Sequence, residues 1–136
     1  MLNILILDDA RVIRALLKLT LESDGHTVDS AASLSEALLF SEQNQYDLII
    51  ADYMLEEGET GLDFLRQLNE SDQNSKTPAI MLSAEDGIDS KAQAKALGVK
   101  AWIKKPFTPL GMLKLVYAVL GMKFISEKEK ISMHHS

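Results

Sequence analysis

The chain has 136 residues, of which 46% are hydrophobic, so it is long enough and apolar enough to fold as one domain with a sizeable core. Fourteen Lys and Arg against 20 Asp and Glu leave a net charge of −6, which argues against binding to nucleic acid or an anionic membrane and favours protein or cation partners. The absence of cysteine excludes a disulfide framework and a thiolate metal site.

The N-terminal residues 1–7 are apolar but far too short to cross a bilayer. They also carry no basic leader and no small-residue cleavage site, so we expect a cytoplasmic protein. Within them, Ile4 to Leu7 has the length of a strand and ends on two adjacent carboxylates, Asp8 and Asp9.

A helix is predicted over residues 10–23, where apolar side chains recur at helical spacing and the basic ones are left for water. A short strand over residues 27–31 follows. Ser33 and Glu36 then form the capping-box pattern of a second helix, which runs to about Gln43. The apolar face of the first helix is predicted to consist of Val12, Leu16, Leu17, Leu19 and Leu21.

The run from Leu48 to Ala51 suits a strand buried on both faces of a parallel sheet, because it is short, apolar and rich in β-branched residues. It ends on a lone carboxylate, Asp52. Ligands of open α/β sheets bind just beyond the carboxyl ends of the strands, so Asp52 is a candidate reactive group. An acidic loop follows, and Thr60 is expected to cap the next helix.

The second half of the chain adds two more strand-length runs. Residues 79–82 end at the hydroxyl of Ser83, and residues 101–103 end on the Lys104-Lys105-Pro106 segment. The remaining helical patterns start at Thr60, Lys91 and the Thr108-Pro109 pair, and they end near Leu68, Leu97 and Leu120.

Five strand-length runs thus alternate with five helical patterns. This alternation implies βαβ units with right-handed crossovers and a parallel sheet covered on both faces, which is an α/β three-layer sandwich. We place the domain at residues 1–121. Residues 122–136 are expected to form an extension of the last helix or a frayed tail, with no output domain after it.

If the strands are parallel, the residues that end four of them meet at one edge of the sheet. Three carboxylates in one pocket repel one another, so they raise a pKa or recruit a cation, and oxygen ligands without His or Cys suit Mg²⁺. A carboxylate nucleophile in such a pocket could accept a phosphoryl group whose charge the metal, an ammonium and a hydroxyl would neutralise. The residues in question are Asp8, Asp9, Asp52, Ser83 and Lys105.

The same motifs carry a family likeness over residues 2 to about 121. An apolar strand before Asp8-Asp9, a central strand ending in Asp52, a Ser83-Ala84 pair and the Lys105-Pro106-Phe107 segment stand in order. Together they resemble the receiver domain of two-component response regulators. The resemblance implies a flavodoxin-like (CheY-like) fold of five parallel strands flanked by five helices, and the strand order 2-1-3-4-5 is taken from the family.

The resemblance also implies a function for the pocket. Asp52 would be phosphorylated by a sensor histidine kinase or a histidine phosphotransfer protein. Asp8, Asp9 and Asp52 would hold Mg²⁺ together with the backbone carbonyl of Met54, and Lys105 would assist the transfer. The chain would then be a phospho-acceptor switch rather than an enzyme, with only self-directed phosphoryl transfer and autodephosphorylation.

In the family, the Ser83 hydroxyl turns toward the phosphoryl group and the aromatic residue at the Trp102 position swings inward with it. This movement reshapes the face of the fourth helix, fifth strand and fifth helix, where a downstream target protein would bind. Met54 and Glu85 match positions that tune phosphate loss. We expect a stand-alone receiver, monomeric or weakly dimeric, that signals through phosphorylation-dependent protein–protein interaction.

Two features depart from the family pattern. The loop after the phosphorylated aspartate usually has proline four residues on and glycine eight on, whereas here Glu56 takes the proline position and Gly61 stands nine on. The inserted residue and three acids in this loop are expected to reshape the pocket rim. Trp102 is bulkier than the usual tyrosine, which would hinder its inward rotation.

Two alternatives stay open at this point. The receiver fold could act as a constitutive scaffold that is never phosphorylated. An aspartate-nucleophile phosphatase fits less well, because it requires a carboxylate two residues after the nucleophile, where Met54 follows Asp52 and Ala10 follows Asp8. A flavin-binding protein of the same fold is disfavoured, since the acids after the first strand have the wrong charge for a phosphate loop.

Overall fold

Five parallel strands form a single sheet in the order β2-β1-β3-β4-β5. The computed structural model describes residues 1–70, 73–84 and 91–134. The strand order and the strand number confirm the predicted architecture. The strands are β1 (Asn3–Leu7), β2 (Thr27–Ala31), β3 (Leu48–Asp52), β4 (Ala79–Ser83) and β5 (Val99–Lys104).

Helices cover both faces of this sheet. A short 3-10 turn, Glu56–Gly58, lies in the loop between β3 and the third helix. None of the helices in the described ranges is both long enough and apolar enough to cross a bilayer. The helices are α1 (Arg11–Ser23), α2 (Leu34–Gln43), α3 (Gly61–Leu68), α4 (Lys91–Ala96), α5 (Pro109–Val119) and α6 (Glu127–His134).

The sheet separates two apolar cores. Alternate residues of each central strand enter opposite cores, so that Ile49 packs with α2 and α3 while Ile50 packs with α1 and α5. Every residue of β3 and of β4 is buried. This two-sided burial explains why the central strands read as continuous apolar runs rather than as alternating patterns.

The predicted helix starts form, although one of them differs in detail. Thr60 and Asp63 make a reciprocal capping box at α3. At α2 the Ser33 hydroxyl accepts a hydrogen bond from the Glu36 N–H, but the Glu36 carboxylate accepts one from the N–H of Ala32 instead of Ser33. The capping box at α2 is therefore displaced by one residue on its acidic side.

The predicted apolar face of α1 was wrong in part. Leu17 and Leu21 are buried with Thr20, whereas Val12 and Leu19 are 77% and 70% exposed. At about 100° per residue, Val12 and Leu19 lie on the side of the helix opposite Leu17. The sheet covers only one side of α1, so the second apolar stripe faces solvent.

The C-terminal segment differs from both predicted forms. Helix α5 ends at Val119, and Gly121 follows with a left-handed backbone (φ +68°), so the last helix is not extended. A separate helix, α6, forms instead, and the Lys130 ammonium lies 2.8 Å from the carboxylate of Asp24 at the end of α1. The division of the chain at Gly121 into a domain and a tail stays a prediction.

Candidate functional site

The pairing of the parallel strands places the predicted site residues at one edge of the sheet. Leu7 of β1 pairs with Ala51 of β3, so Asp8 and Asp52 each follow one position later on neighbouring strands. On the other side, Asp52 pairs with Leu82. Ser83, at the end of β4, pairs with Lys104, and the Lys105 N–H donates a hydrogen bond to the Ser83 carbonyl at 2.7 Å.

Lys105 joins two of the acids. Its ammonium lies 3.0 Å from Oδ2 of Asp8 and 3.3 Å from Oδ2 of Asp52. Asp8 is fully buried, and its other carboxylate oxygen accepts a hydrogen bond from the N–H of Ala10 at 2.8 Å. The Lys105 side chain is 19% exposed, so both ion pairs form where water screens them weakly.

Asp9 completes a cluster of three carboxylates. One carboxylate oxygen from each of Asp8, Asp9 and Asp52 lies within 4.8 Å of the others. Opposite ligands of an octahedral Mg²⁺ stand about 4.2 Å apart, given bond lengths near 2.1 Å. Small side-chain rotations would therefore bring the three oxygens into one coordination sphere, and this all-oxygen donor set matches the preference of Mg²⁺.

Burial and mutual repulsion perturb the site electrostatically. Burial, reinforced by the negative charge of Asp8, raises the pKa of Asp52 from its usual 3.8 to about 6, although Lys105 acts in the opposite direction. Burial alone would lower the pKa of Lys105, but the hydrogen bonds and charges of Asp8 and Asp52 outweigh it and leave that pKa raised. The Lys105 ammonium therefore stays protonated, and the ionised form of the neighbouring Asp52 is energetically unfavourable.

The loop after Asp52 absorbs its extra residue in a tight turn. Met54 and Thr60 face each other in an antiparallel bridge. Its flanking hydrogen bonds use the carbonyls of Tyr53 and Glu59, not that of Met54. At the tip of the loop Glu57 adopts a left-handed conformation with φ 61°. Glu56 and Glu57 in the 3-10 turn are exposed, and the effect of the inserted residue on the pocket rim stays a prediction.

A family model described as the response regulator receiver domain matches residues 4–117. The chain belongs to this family. Two transcriptional regulatory proteins are similar to most of this chain, and the match covers about half of the length of each. ResD of Bacillus subtilis is 35% identical over 118 residues, which are 87% of this chain and 48% of ResD. KdpE of Escherichia coli, named for the KDP operon, is 38% identical over 107 residues, 79% of this chain and 46% of KdpE.

Solved structures agree with this assignment. The chemotaxis protein CheY4 of Vibrio cholerae is 34% identical and superposes with a TM-score of 0.82 over 88% of this chain and 98% of CheY4. A receiver domain of the Francisella response regulator 1452 superposes with a TM-score of 0.77 at 27% identity. The flavodoxin-like fold predicted from the motifs is thereby confirmed. The chain spans about half the length of the curated relatives it matches.

The predicted switch residue Trp102 contacts Tyr53, a residue next to the site that the sequence motifs did not indicate. Trp102 pairs with Met81 in the sheet, and its ring lies 5.3 Å, centroid to centroid, from the ring of Tyr53. Tyr53 directly follows Asp52. Sequence reasoning missed Tyr53 because nothing in a strand-end pattern says which loop residue reaches across to the neighbouring strands.

The receiver's other predicted switch residue is Ser83, which is buried at 2% exposure next to the backbone of Lys105. Trp102 is half-buried, and among the described residues its indole N–H is buried without an acceptor. An unpaired buried donor is unfavourable, so this position of the ring is not fully satisfied. Glu85, predicted to tune phosphate loss, lies outside the described residues.

Gly61 is a second position that sequence reasoning undervalued. A β-carbon added there would lie 2.5 Å from the carbonyl oxygen of Asp52 and 2.9 Å from the sulfur of Met81. Only glycine lets the first turn of α3 approach the end of β3 this closely. The available signal was its place directly after the capping residue Thr60, but the contact itself is made between elements.

Proposed function

We propose that this receiver domain accepts a phosphoryl group on Asp52 in a Mg²⁺-dependent reaction and signals by changing its affinity for a partner protein. The observation that supports this most directly is the cluster of Asp8, Asp9 and Asp52 with Lys105 bridging two of its carboxylates. A structural ion pair needs one acid for one lysine. Three acids around one ammonium leave negative charge that suits a bound cation and, through it, a phosphate.

The transfer would proceed in one displacement. A carboxylate oxygen of Asp52 attacks the phosphorus of a phosphohistidine in a sensor kinase or phosphotransfer protein, the new O–P bond forms, and the N–P bond breaks with its electron pair going to the imidazole. With a pKa near 6, Asp52 is mostly ionised at neutral pH and can act as the nucleophile. Lys105, 3.3 Å from that carboxylate, would then contact a phosphoryl oxygen.

The metal would be held by Asp8, Asp9 and Asp52, with the carbonyl of Met54 as a further ligand. When bound, Mg²⁺ supplies positive charge against the phosphoryl oxygens. Within the bridge to Thr60, the carbonyls of Tyr53 and Glu59 carry the hydrogen bonds, which is compatible with a metal-binding role for Met54. The side chain of Met54 is 57% exposed, as befits a residue that tunes the access of water to an acyl phosphate.

The response would pass from the pocket to the face of α4, β5 and α5. Ser83 would turn its hydroxyl to the phosphoryl group, and Trp102 would move with it. The contact of Trp102 with Tyr53 supports this route, because Tyr53 shares a peptide bond with the phosphorylated residue. A downstream protein that prefers one of the two arrangements would read the state of the site.

The remaining parts of the proposal concern the setting. We propose a cytoplasmic domain over residues 1–121 that is monomeric or weakly dimeric, with Glu85 as a second residue that tunes phosphate loss. ResD and KdpE are transcriptional regulatory proteins about twice as long as this chain. Whether the receiver acts by itself or within such a protein, its own partners are a phosphodonor protein and a target protein.

The test is phosphorylation by a small donor. Acetyl phosphate with Mg²⁺ is expected to add one phosphoryl mass to the intact protein, and EDTA is expected to prevent it. Asp52→Asn should abolish the added mass, while the control Glu56→Gln, in the exposed turn of the loop after Asp52, should keep it. Labelling that survives Asp52→Asn would refute the assignment, and a complete lack of labelling in the wild type would favour a constitutive scaffold.

A further inference from the structure

A chain of hydrogen bonds lies at the edge of the sheet opposite to the Asp52 pocket. Helix α1 starts beside that pocket and runs for 13 residues, so its end, next to Asp24, lies about 20 Å from its start. His26 follows in the turn before β2, and Tyr117 comes from α5. Both of these side chains are buried, and the function proposed for the pocket uses neither of them.

The partners of His26 assign the position of its proton. Nδ1 accepts a hydrogen bond from the N–H of Leu2 at 3.1 Å, so the neutral ring carries its proton on Nε2. Nε2 lies 2.6 Å from the hydroxyl oxygen of Tyr117 and donates to it. Tyr117 in turn donates to Oδ2 of Asp24. The three hydrogen bonds therefore run in one direction, from the start of the chain to the carboxylate at the end of α1.

The C-terminal helix α6 is attached to the end of this chain of bonds. The Lys130 ammonium lies 2.8 Å from Oδ1 of Asp24, and the ring of Phe124 lies 5.8 Å, centroid to centroid, from the ring of Tyr117. Phe124 belongs to the segment that joins α5 to α6. Lys123 of the same segment lines a surface pocket of about 290 Å³ together with these polar residues. The buried network thus lies beneath the C-terminal segment and holds it against α1 and α5.

One member of the network can change its charge near neutral pH. Burial would raise the pKa of Asp24, but the hydrogen bonds from Lys130 and Tyr117 outweigh it and leave that pKa lowered, so the acid stays ionised. Burial and the hydrogen bond to Asp24 raise the pKa of Tyr117, so the phenol stays neutral. The ordinary pKa of an imidazole lies between pH 5 and pH 8. A proton added to the network therefore goes to His26.

Protonation of His26 conflicts with its surroundings in two ways. The new proton would lie on Nδ1, opposite the Leu2 N–H, so two donors would meet and the backbone group would lose its acceptor. The imidazolium would also compete with Lys130, because Nε2 lies 3.7 Å from Oδ2 of the carboxylate that the ammonium binds. Two cations beside one carboxylate repel each other, and the amino group of Met1 adds to the positive charge.

The pKa of His26 reflects this balance. Burial lowers it, the charge of Asp24 raises it, and the charges of the Met1 amino group and Lys130 lower it, which leaves it below its usual 6.5. The stability that neutral His26 contributes is therefore fully present above pH 6.5 and is lost as the pH falls from there toward the lowered pKa. The coupling is reciprocal: if the ammonium disfavours the proton, the proton weakens the attachment of the ammonium.

A purely structural role accounts for only part of this arrangement. Buried polar side chains commonly join neighbouring elements through hydrogen bonds, and a side-chain amide provides a donor and an acceptor without titrating near neutral pH. Such a role does not require a second cation on the same carboxylate. The ion pair of Lys130 with Asp24 makes the attachment of α6 depend on the charge of His26.

We propose that His26 is a pH sensor that controls the attachment of α6. With His26 neutral, Asp24 binds Lys130 and α6 rests on α1 and α5. With His26 protonated, the imidazolium competes for Asp24 and the C-terminal segment is released. The mechanism requires neither Mg²⁺ nor a phosphoryl group on Asp52, so it goes beyond the proposed function and does not depend on it.

The test is amide exchange in α6 as a function of pH. Exchange rates of residues 127–134 are measured by NMR from pH 7.5 to pH 5 in EDTA and divided by the intrinsic rates at each pH. In the wild type we expect the protection of α6 to fall about threefold or more on acidification. His26→Gln, whose amide can accept a hydrogen bond from Leu2 and donate one to Tyr117, should keep its protection throughout.

The other two histidines of the chain provide the matched control. The double variant His134→Gln, His135→Gln removes the imidazoles of the C-terminal segment and should lose protection on acidification as the wild type does. Asp52 is present in all of these proteins and so cannot cause a difference between them. Protection that stays constant in the wild type, or a pH dependence that His26→Gln keeps or the double variant abolishes, would overturn the proposal.

The reciprocal effect gives a second test, which does not rely on the folding of His26→Gln. Long-range ¹H–¹⁵N spectra follow the ring nitrogens of His26 and should show the Nε2–H tautomer at pH 7.5. Lys130→Met should raise the pKa of His26, because it removes a nearby cation, whereas Lys128→Met on the same helix should leave that pKa unchanged. A His26 pKa that is the same in the wild type and both variants would show that the proton and α6 are not coupled.

Discussion

At the scale of single residues, burial and the neighbouring carboxylates make the ionised form of Asp52 unfavourable. Asp52 is 6% exposed and lies near Asp8 and Asp9, and within the part of the chain that the structure describes only Lys105 pairs with it to offset their charge. Its raised pKa is the measurable sign of this arrangement. The proposed binding of a cation and a phosphoryl group requires a site that is incompletely neutralised beforehand, so under this proposal stability and function are opposed at Asp52.

The first prediction follows from the sign of that shift. Because the native protein holds the Asp52 proton up to about pH 6 and the unfolded chain releases it near 3.8, stability due to this group is lost as the pH rises through that window. Asp52→Asn has no such loss, and its free energy of unfolding should exceed that of the wild type by about 3 kcal/mol at pH 7 in EDTA.

Urea denaturation of both proteins from pH 4 to pH 7.5 measures this difference. The gap should open between pH 4 and pH 6 and stay constant above it. The control Glu56→Gln, an exposed acid of the same loop, should show no gap. A difference between Asp52→Asn and the wild type that is the same at every pH would contradict the assigned pKa.

At the scale of elements, the site depends on how closely α3 packs against the end of β3. Gly61 begins α3 directly against the Asp52 carbonyl, and the Thr60–Asp63 capping box fixes where the helix starts. The loop between them can hold an inserted residue because its ends are tied by the Met54–Thr60 bridge. The acids that follow β1 and end β3 are clustered with this longer loop present.

The second prediction concerns Gly61. Gly61→Ala would force its β-carbon against the Asp52 carbonyl at 2.5 Å, so the helix or the strand end must move. We expect a loss of about 2 kcal/mol or more in the free energy of unfolding. Gln67→Ala, on the exposed side of the same helix, should change it by less than about 0.5 kcal/mol. Chemical denaturation measures both, and an unchanged midpoint for Gly61→Ala would contradict the close packing.

The third prediction concerns α6. Lys130 pairs with Asp24, which also accepts a hydrogen bond from the Tyr117 hydroxyl, so this one acid ties α6 to α1 and α5. Lys130→Met should cost about 1 kcal/mol or less, because the ammonium is partly exposed and screened. It should nevertheless speed amide exchange in residues 127–134, whereas Lys128→Met should not. Equal exchange rates in both variants would mean that the ion pair does not hold α6.

At the scale of the whole molecule, the acidic cluster at the strand ends and the lysines around α4 and β5 occupy different regions. The acids surround the strand ends of β1 and β3, where a cation and a phosphodonor would bind, and the lysines lie around α4 and β5. The sheet holds both at fixed positions because β3 and β4 are buried along their whole length. Under the proposed function, a local rearrangement near Tyr53 and Trp102 would couple these two regions.

The fourth prediction applies to the molecule as a whole. Under the proposed function Mg²⁺ would bind the folded site and not the unfolded chain, so it should raise the melting temperature of the wild type by several degrees at saturation. Asp9 is a half-exposed acid, and Asp9→Asn would remove one of the three proposed carboxylate ligands. This variant should lose most of the rise in melting temperature, while its melting temperature in EDTA stays close to that of the wild type. Thermal unfolding monitored by circular dichroism checks both, and an equal Mg²⁺ effect in Asp9→Asn would contradict the ligand set.

The sequence by itself determined the order of the elements and the identity of the pocket residues. The five apolar runs, the caps at Ser33, Thr60 and Thr108, and the acids after β1 and β3 depend on neighbours a few residues apart. Parallel pairing then brings the strand ends together whatever the details of packing. For this reason the fold and the cluster around Asp52 could be predicted from periodicity, spacing and family motifs.

Only the tertiary structure decided which side of each element is covered. Whether Val12 and Leu19 are buried depends on how much of α1 the sheet can reach, and the need for glycine at position 61 depends on a carbonyl in another element. The contact of Tyr53 with Trp102 likewise joins a loop to a strand far along the chain. Such contacts depend on the distances between packed elements, which local sequence patterns do not encode.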